Sequence, residues 1–396
     1  ESTNVSARST NFFSIRNGPL NIFVNGLYTN TAVYAVAPGR ADNWMASSNA
    51  PLDSVAAVFD RFDLEPGDKI WVDPGTYEAS TPISIGMKNS GTTGDPVRVT
   101  GNPSAPYSGT VLARNSRATG AYGIQLSRAN GVQFSCLTVS NAFIGIRAEF
   151  SQGIGLDRVR VGHCFTNAVY AGDGAQINAS RIIAEHNQGV GVMTRTGSVV
   201  KINNSLFRDN ALAGLYLHGG AIELKNSVLE ATGDRQFVYY RNGGTFVSDY
   251  NNVRVTDGAN VAGGDVRASD RFLTDWQKST GYANDKFSSG YAAKFANESA
   301  MDFHLKSQYG RWVTGSGWTN DAETSKLIDL GELPPGTYSD YSNEPTNNGG
   351  RVNVGLYGNT VEASKSSGAP TLVPLTLSNN GTVRGEVTPY WAWNGL

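Results

Sequence analysis

The chain has little cysteine, little charge and no long apolar run, and each shortage removes a class of protein. Two cysteines, Cys136 and Cys164, among 396 residues exclude a fold held by a disulfide framework. They occupy different positions of neighbouring repeats, and a bridge needs Cα atoms within about 7 Å, so none is expected between them. Charged residues make up 17% of the chain and the formal net charge is −2, so no overall field favours nucleic acid. An anionic partner has to be met by a local cationic patch. No apolar stretch approaches the roughly 18 residues of a membrane span. Long helical patterns are scarce as well. Glycine is plentiful instead, at 46 residues, together with asparagine, serine and threonine. That composition suits a turn-rich all-β protein that is secreted or displayed on a cell surface.

What fills the chain is a repeat of 22–23 residues between positions 123 and 250. Gly123, Gly145, Ala168, Gly191, Gly214 and Phe237 open the similar strands GIQLS, GIRAE, AVYAG, GVMTR, GLYLH and FVYYR. A second run follows in each repeat after a polar turn, as in GVQFSCLTV, GIGLDRVRV and QINASRIIA. Alternating apolar and polar residues, with glycine and asparagine at the corners, predict the coils of a parallel β-solenoid. A leucine-rich repeat has a similar period, but its leucine framework is missing. The expected fold is all-β, a right-handed parallel β-helix. Asn141, Cys164, Asn187 and Asn210 are expected to stack at one corner, and Asn204 over Asn226 at another. Their amides would satisfy the turn backbone. Cys164 reads as a small inward residue.

Three parts are expected: a β-rich extension over 1–50, the β-helix with its caps over 51–365, and 366–396 as a linker with the start of an incomplete β-domain. Pro51, Leu52, Val55, Ala56, Val58, Phe59 and Phe62 predict an amphipathic helix over 51–64 that covers the open end of the core. A second helix is expected at 270–279, around Phe272, Leu273 and Trp276, within an irregular C-terminal cap. Trp391 and Trp393 in the tail read as packing residues.

LEPGDKIWVDPGTY resembles the first coil of pectate-lyase-like β-helix proteins. MDFHLKSQYGRW, with SKLIDLGE and YSNEPTNNGGRVNVGLYGNTVEAS, resembles the end of the β-helix domains in bacterial surface proteins of the "choice-of-anchor Q" type. The resemblance spans about residues 50–365. It implies the fold, an extracellular setting and attachment to further domains of a larger chain. It does not fix the chemistry, because the superfamily holds lyases, glycosidases, epimerases, tailspikes and adhesins.

Alternation sorts each opening strand into two faces. Ile124, Leu126, Ile146, Ala148, Val169, Ala171, Val192, Leu215 and Leu217 belong inside. Outward then lie Gln125, Arg147, Tyr170, Met193, Tyr216 and Tyr239 in one column, and Ser127, Glu149, Gly172, Arg195, His218 and Arg241 in the next. A one-residue slip would bury Arg, Glu and His, so the parity is constrained. Aromatic rings beside guanidinium groups suit an acidic polysaccharide, since rings pack on sugar faces and arginine grips carboxylates. The bland alternative is a cross-strand ladder that only stacks coils.

Within the columns, His218 is expected between Arg195 and Arg241, neutral and able to accept a proton. Tyr216 or Tyr239 would protonate the leaving oxygen, and Arg147, Tyr170, Glu149, Asp173 and Arg241 would hold substrate. This is a constellation for β-elimination on an acidic polysaccharide. It departs from the lyases of the superfamily, which use carboxylate clusters, often with a lysine base. A binding or adhesion module is the rival from another class. Glu149 with Asp173 offers a third reading, a glycosidase acid pair. His163, His186 and Asp209 recur every 23 residues, with Glu185 beside them, and could ligate a divalent cation.

Overall fold

The structure, a computed structural model, describes residues 18–26, 32–264 and 270–368. Its strands wind into a parallel solenoid. Each regular coil gives one strand to an eight-stranded front sheet and a longer bent run to a fifteen-stranded rear sheet. The front sheet stacks Ile83–Ile85, Tyr122–Ser127, Ile144–Glu149, Val169–Gly172, Val190–Arg195, Ala213–His218, Phe237–Arg241 and Asn260–Gly264 in chain order. Parallel neighbours need a crossover, and here the rear run of each coil supplies it.

The rear run bends at one left-handed residue per coil. Cys136, Arg158, Arg181, Asn204, Asn226 and Tyr250 all have φ between 48° and 57°. Only the asparagines among them favour that conformation, so the other turns are imposed by the stacked coils on either side. Beside this corner runs a ladder of hydroxyls that the sequence pattern did not suggest. Ser205 Oγ accepts from Ile182 N (3.2 Å), Ser227 Oγ from Ser205 N (3.1 Å) and Asn251 Oδ1 from Ser227 N (2.9 Å). Asn204 and Asn226 do not bond along the axis. Their amides point outward to the carbonyls of Asn353, Gly355 and Tyr338.

At the corner leading into the front sheet, Asn187 Oδ1 accepts from Cys164 N (3.0 Å) and its amide donates to Asn210 Oδ1 (2.8 Å). Asn141 is not part of this ladder. Ser140 pairs with Gly162, so Asn141 lies level with His163, and both have left-handed φ, 56° and 58°. Cys136 and Cys164 are buried free thiols, and burial pushes Cys164 up to about 12.

Both ends of the core are covered. Asn21–Val24 pairs in parallel with Lys69–Val72, so the first rung lies inside the segment read as an extension. The first helix is shorter than expected, Val55–Arg61, because Leu52 is committed to the backbone of Phe23 and Asn25. It buries Val55, Val58 and Phe59. At the far end, helix Leu273–Ser279 seats Trp276 against Tyr239 (5.6 Å between ring centroids) and Phe246 (6.1 Å).

The chain beyond about residue 290 is a brace along the flank. Ile183, Leu206 and Val228 point away from the solenoid core, stack on one another, and join Phe295, Phe303, Leu305, Leu327, Ile328, Val354 and Leu356 in a second core. The signal was in the sequence: Ile182–Ile183, Leu206–Phe207 and Val228–Leu229 put apolar residues on both faces of the strand. The expected tail domain, with Trp391 and Trp393, lies past Gly368 and outside the described residues.

Candidate functional site

The front sheet presents one outward column in the register Ser84, Gln125, Arg147, Tyr170, Met193, Tyr216, Tyr240. Beside it runs Ser127, Glu149, Gly172, then Arg195 paired with His218. Arg147 lies over the rings of Tyr122 (4.8 Å) and Tyr170 (5.7 Å), and Glu149 binds its guanidinium at 2.5 Å. Gly172 leaves room for the Tyr170 ring to lie as it does: a Cβ there would meet that ring at 2.7 Å and displace it. Burial raises the Tyr170 hydroxyl above its ordinary pKa. Arg195 is exposed and forms no ion pair among the described residues. His218 is half-buried, and its Nδ1 lies 3.2 Å from the Tyr216 hydroxyl and 3.4 Å from the Asn242 amide. Tyr216 in turn meets Tyr240 edge-on at 5.0 Å.

Two expected members are elsewhere. Tyr239 pairs with Leu215, not Tyr216, and is fully buried, its hydroxyl 3.4 Å from Ser248 Oγ. Arg241 pairs with Leu217 and directs its guanidinium to 5.8 Å from the Trp276 ring. The cause is unequal loop length. The turn Gly219–Gly220 is one residue shorter than Thr196–Ser198, and the corner loop before Phe237 is two residues longer than its predecessor. The sixth front strand therefore slips by one residue, Tyr240 takes the outward place, and Asn242 stands where Arg241 was expected. His218 has one flanking cation, Arg195, not two.

The family model described as "Right handed beta helix region" matches residues 97–259. The chain is a right-handed parallel β-helix. No curated protein matches it. Among solved structures, it is similar to the pectate lyase Pel9A (16% identity, 86% of this chain and 97% of that one, TM-score 0.45). It is also similar to an alginate lyase from Paenibacillus sp. (13% identity, 54% and 97%, TM-score 0.34) and to a rhamnogalacturonan lyase (12%, 62% and 68%, TM-score 0.35).

The other expected sites of the β-helix fare differently. Gly172 is the residue level with Glu149, so Asp173 falls one position further on, at a left-handed turn (φ 40°). With Glu149 held by Arg147, the two carboxyls are not a free acid pair. His163, His186 and Asp209 do share a corner column, and the two imidazoles stack at 5.3 Å. Asp209 Oδ2 approaches His186 Nδ1 only to 3.8 Å. Glu185 is buried and engaged by Arg160 (2.6 Å) and Arg208 (2.8 Å). No three His, Cys, Asp or Glu among the described residues stand ready for a metal, so the expected divalent-cation site is not assembled. Burial, then Arg160 and His186, hold His163 below its ordinary pKa.

Sequence reasoning missed Tyr122, Tyr240 and Asn242 on the front face, and a cavity of about 520 Å³ at the corner before it. Asn115, Ser116, Arg117, Asn141, His163, His186 and Gln188 line that cavity. The left-handed series Asn115, Asn141, His163, His186, Asp209 would have found it, had Asn141 been aligned with His163.

Proposed function

We propose that this β-helix recognises an acidic polysaccharide laid along its front sheet, parallel to the solenoid axis. The observation behind it is the continuous column Gln125, Arg147, Tyr170, Met193, Tyr216, Tyr240. Coils about 4.8 Å apart offer an extended glycan one side chain per rung. Tyrosine faces suit the apolar faces of sugar rings, and tyrosine orders few rotors on binding. Arg195 is the anion grip, because Arg147 is already neutralised by Glu149. This reading belongs outside the cell, on a chain tethered to further domains. Titration calorimetry with acidic and neutral polysaccharides tests it. Tyr170→Ala and Tyr240→Ala should each weaken binding of the acidic polymer roughly tenfold. Unchanged affinity in both variants would place recognition elsewhere.

The Tyr216–His218 contact favours a second reading, cleavage by β-elimination. With Nδ1–H donating to the Tyr216 oxygen, the Nε2 lone pair is free to take the proton α to a uronate carboxylate held by Arg195. The electron pair forms the C=C bond as the glycosidic C–O bond breaks. Tyr216 gives its proton to the leaving oxygen and regains one from Nδ1. His218 ends neutral with its proton on Nε2, and Tyr216 ends neutral. New ultraviolet absorbance from the unsaturated product is the assay. A polymer that is bound but never cleaved would leave recognition standing and remove this step.

A further inference from the structure

The corner cavity lies outside the front face and is not used by either reading. Every residue lining it has a polar side chain: the amides of Asn115, Asn141 and Gln188, the Ser116 hydroxyl, two imidazoles and the Arg117 guanidinium. No lining residue is acidic. At its edge Phe165 is 39% exposed, an apolar ring at the surface, with Phe143 at 6.0 Å and Arg117 over it at 6.0 Å. The volume of about 520 Å³ is within the range of small-ligand sites, roughly 300–1,000 Å³. Hydrogen-bonding groups of both kinds, one cation with no ion pair among the described residues and an adjacent ring are what a carboxylated or sulfated sugar needs; a purely ionic site would not need the amides or the ring.

The geometry points to a second glycan subsite at this corner, holding one anionic sugar unit against Arg117, His163 and His186. That the unit is a branch or end of the polymer on the front sheet rests on the reading above; the subsite itself does not. The corner runs directly into the front strands, with Asn141 three residues before Ile144 and His186 four before Val190. A branched glycan could therefore span both.

The four histidines make the test selective. His163 and His186 report the corner, His218 the front face, and His304, buried within the brace, is the control. Imidazole NMR signals are followed during titration with D-glucuronate, D-galacturonate, glucose, inorganic sulfate and an acidic oligosaccharide. The uronates should move His163 and His186 and leave His304 still. Arg117→Ala, an exposed position, should weaken that response about tenfold or more. Uronates that leave His163 and His186 unmoved overturn the subsite, whatever His218 does. So does an equal response to sulfate or glucose, which would mark an adventitious ion only or a non-selective surface. If the oligosaccharide leaves His218 still while His163 and His186 respond, the front-sheet reading fails and the subsite survives.

Discussion

Tyr239 and Tyr240 are neighbours in the chain and face opposite environments. Tyr239 closes the core against Phe246 and Trp276, and burial raises its hydroxyl well above the ordinary range. Tyr239→Ala should cost about 3–5 kcal/mol, seen as a lower denaturation midpoint, because it empties a fully packed site. Tyr240→Ala should change stability little while it weakens glycan binding. His218→Ala, in a cleaving enzyme, should lower turnover roughly 10²–10⁴-fold with binding largely kept. Full turnover in that variant would remove His218 from the chemistry. Parity was legible here, since alternation alone placed Arg147, Tyr170, Arg195, Tyr216 and His218 outward. The exchange of Tyr239 for Tyr240 was not: both are tyrosines, and the slip, which brings Arg241 level with inward Leu217, is set by loop lengths that alternation does not report.

At the scale of elements, Glu185 and the brace carry the sharpest consequences. Burial opposes ionisation of Glu185, but Arg160 and Arg208 outweigh it and hold the carboxyl below its usual range. Arg208 continues to Glu298 at 2.6 Å, so one network ties the solenoid to the brace. Glu185→Gln should destabilise by about 3–5 kcal/mol, since it leaves two guanidinium groups without their shared anion. Three buried groups in the brace shift the opposite way. Burial pushes Asp329 to about 7 and Glu344 to about 8. Burial would lower His304, but Asp302 and Glu362 prevail and raise it. Each is raised above its unfolded value, so each contributes stability that is complete at low pH and lost as pH rises through the folded pKa. Protection against hydrogen exchange in Phe295–Asn297 and Asp302–Leu305, corrected for the intrinsic exchange rate, should fall as pH rises from about 4 to about 8, ahead of the solenoid strands. Asp329→Asn should flatten part of that fall; corrected protection that stays constant across the interval would refute it. The coils were readable from period and alternation. The brace was not, because its contacts with Asn204 and Asn226 join residues far apart in an aperiodic stretch, where no repeat reports the partner.

For the whole molecule, the small net charge decides how binding responds to salt. With Arg147 paired to Glu149 and no general positive field, salt sensitivity should come chiefly from Arg195. Affinity for an acidic polymer should fall modestly as ionic strength rises, and Arg195→Ala should remove most of that slope. A steep slope that persisted in the variant would require a different cationic surface.

The brace also sets which coils can be counted freely. It touches successive rungs at Ile183, Leu206 and Val228 and pins Asn204 and Asn226 to fixed points on itself. A coil duplicated or lost within that stretch would move one anchor by about 4.8 Å and tear the second core. Upstream, Tyr107 ties two rungs in the same way, its carbonyl accepting from Thr138 Oγ1 (2.7 Å) and its hydroxyl donating to the Arg181 carbonyl (2.8 Å). A coil added between those rungs would lengthen the column of Gln125, Arg147 and Tyr170, but it would part the two contacts of Tyr107. The loop holding Tyr107 and the brace thus fix the number of rungs in that column from outside the repeats themselves.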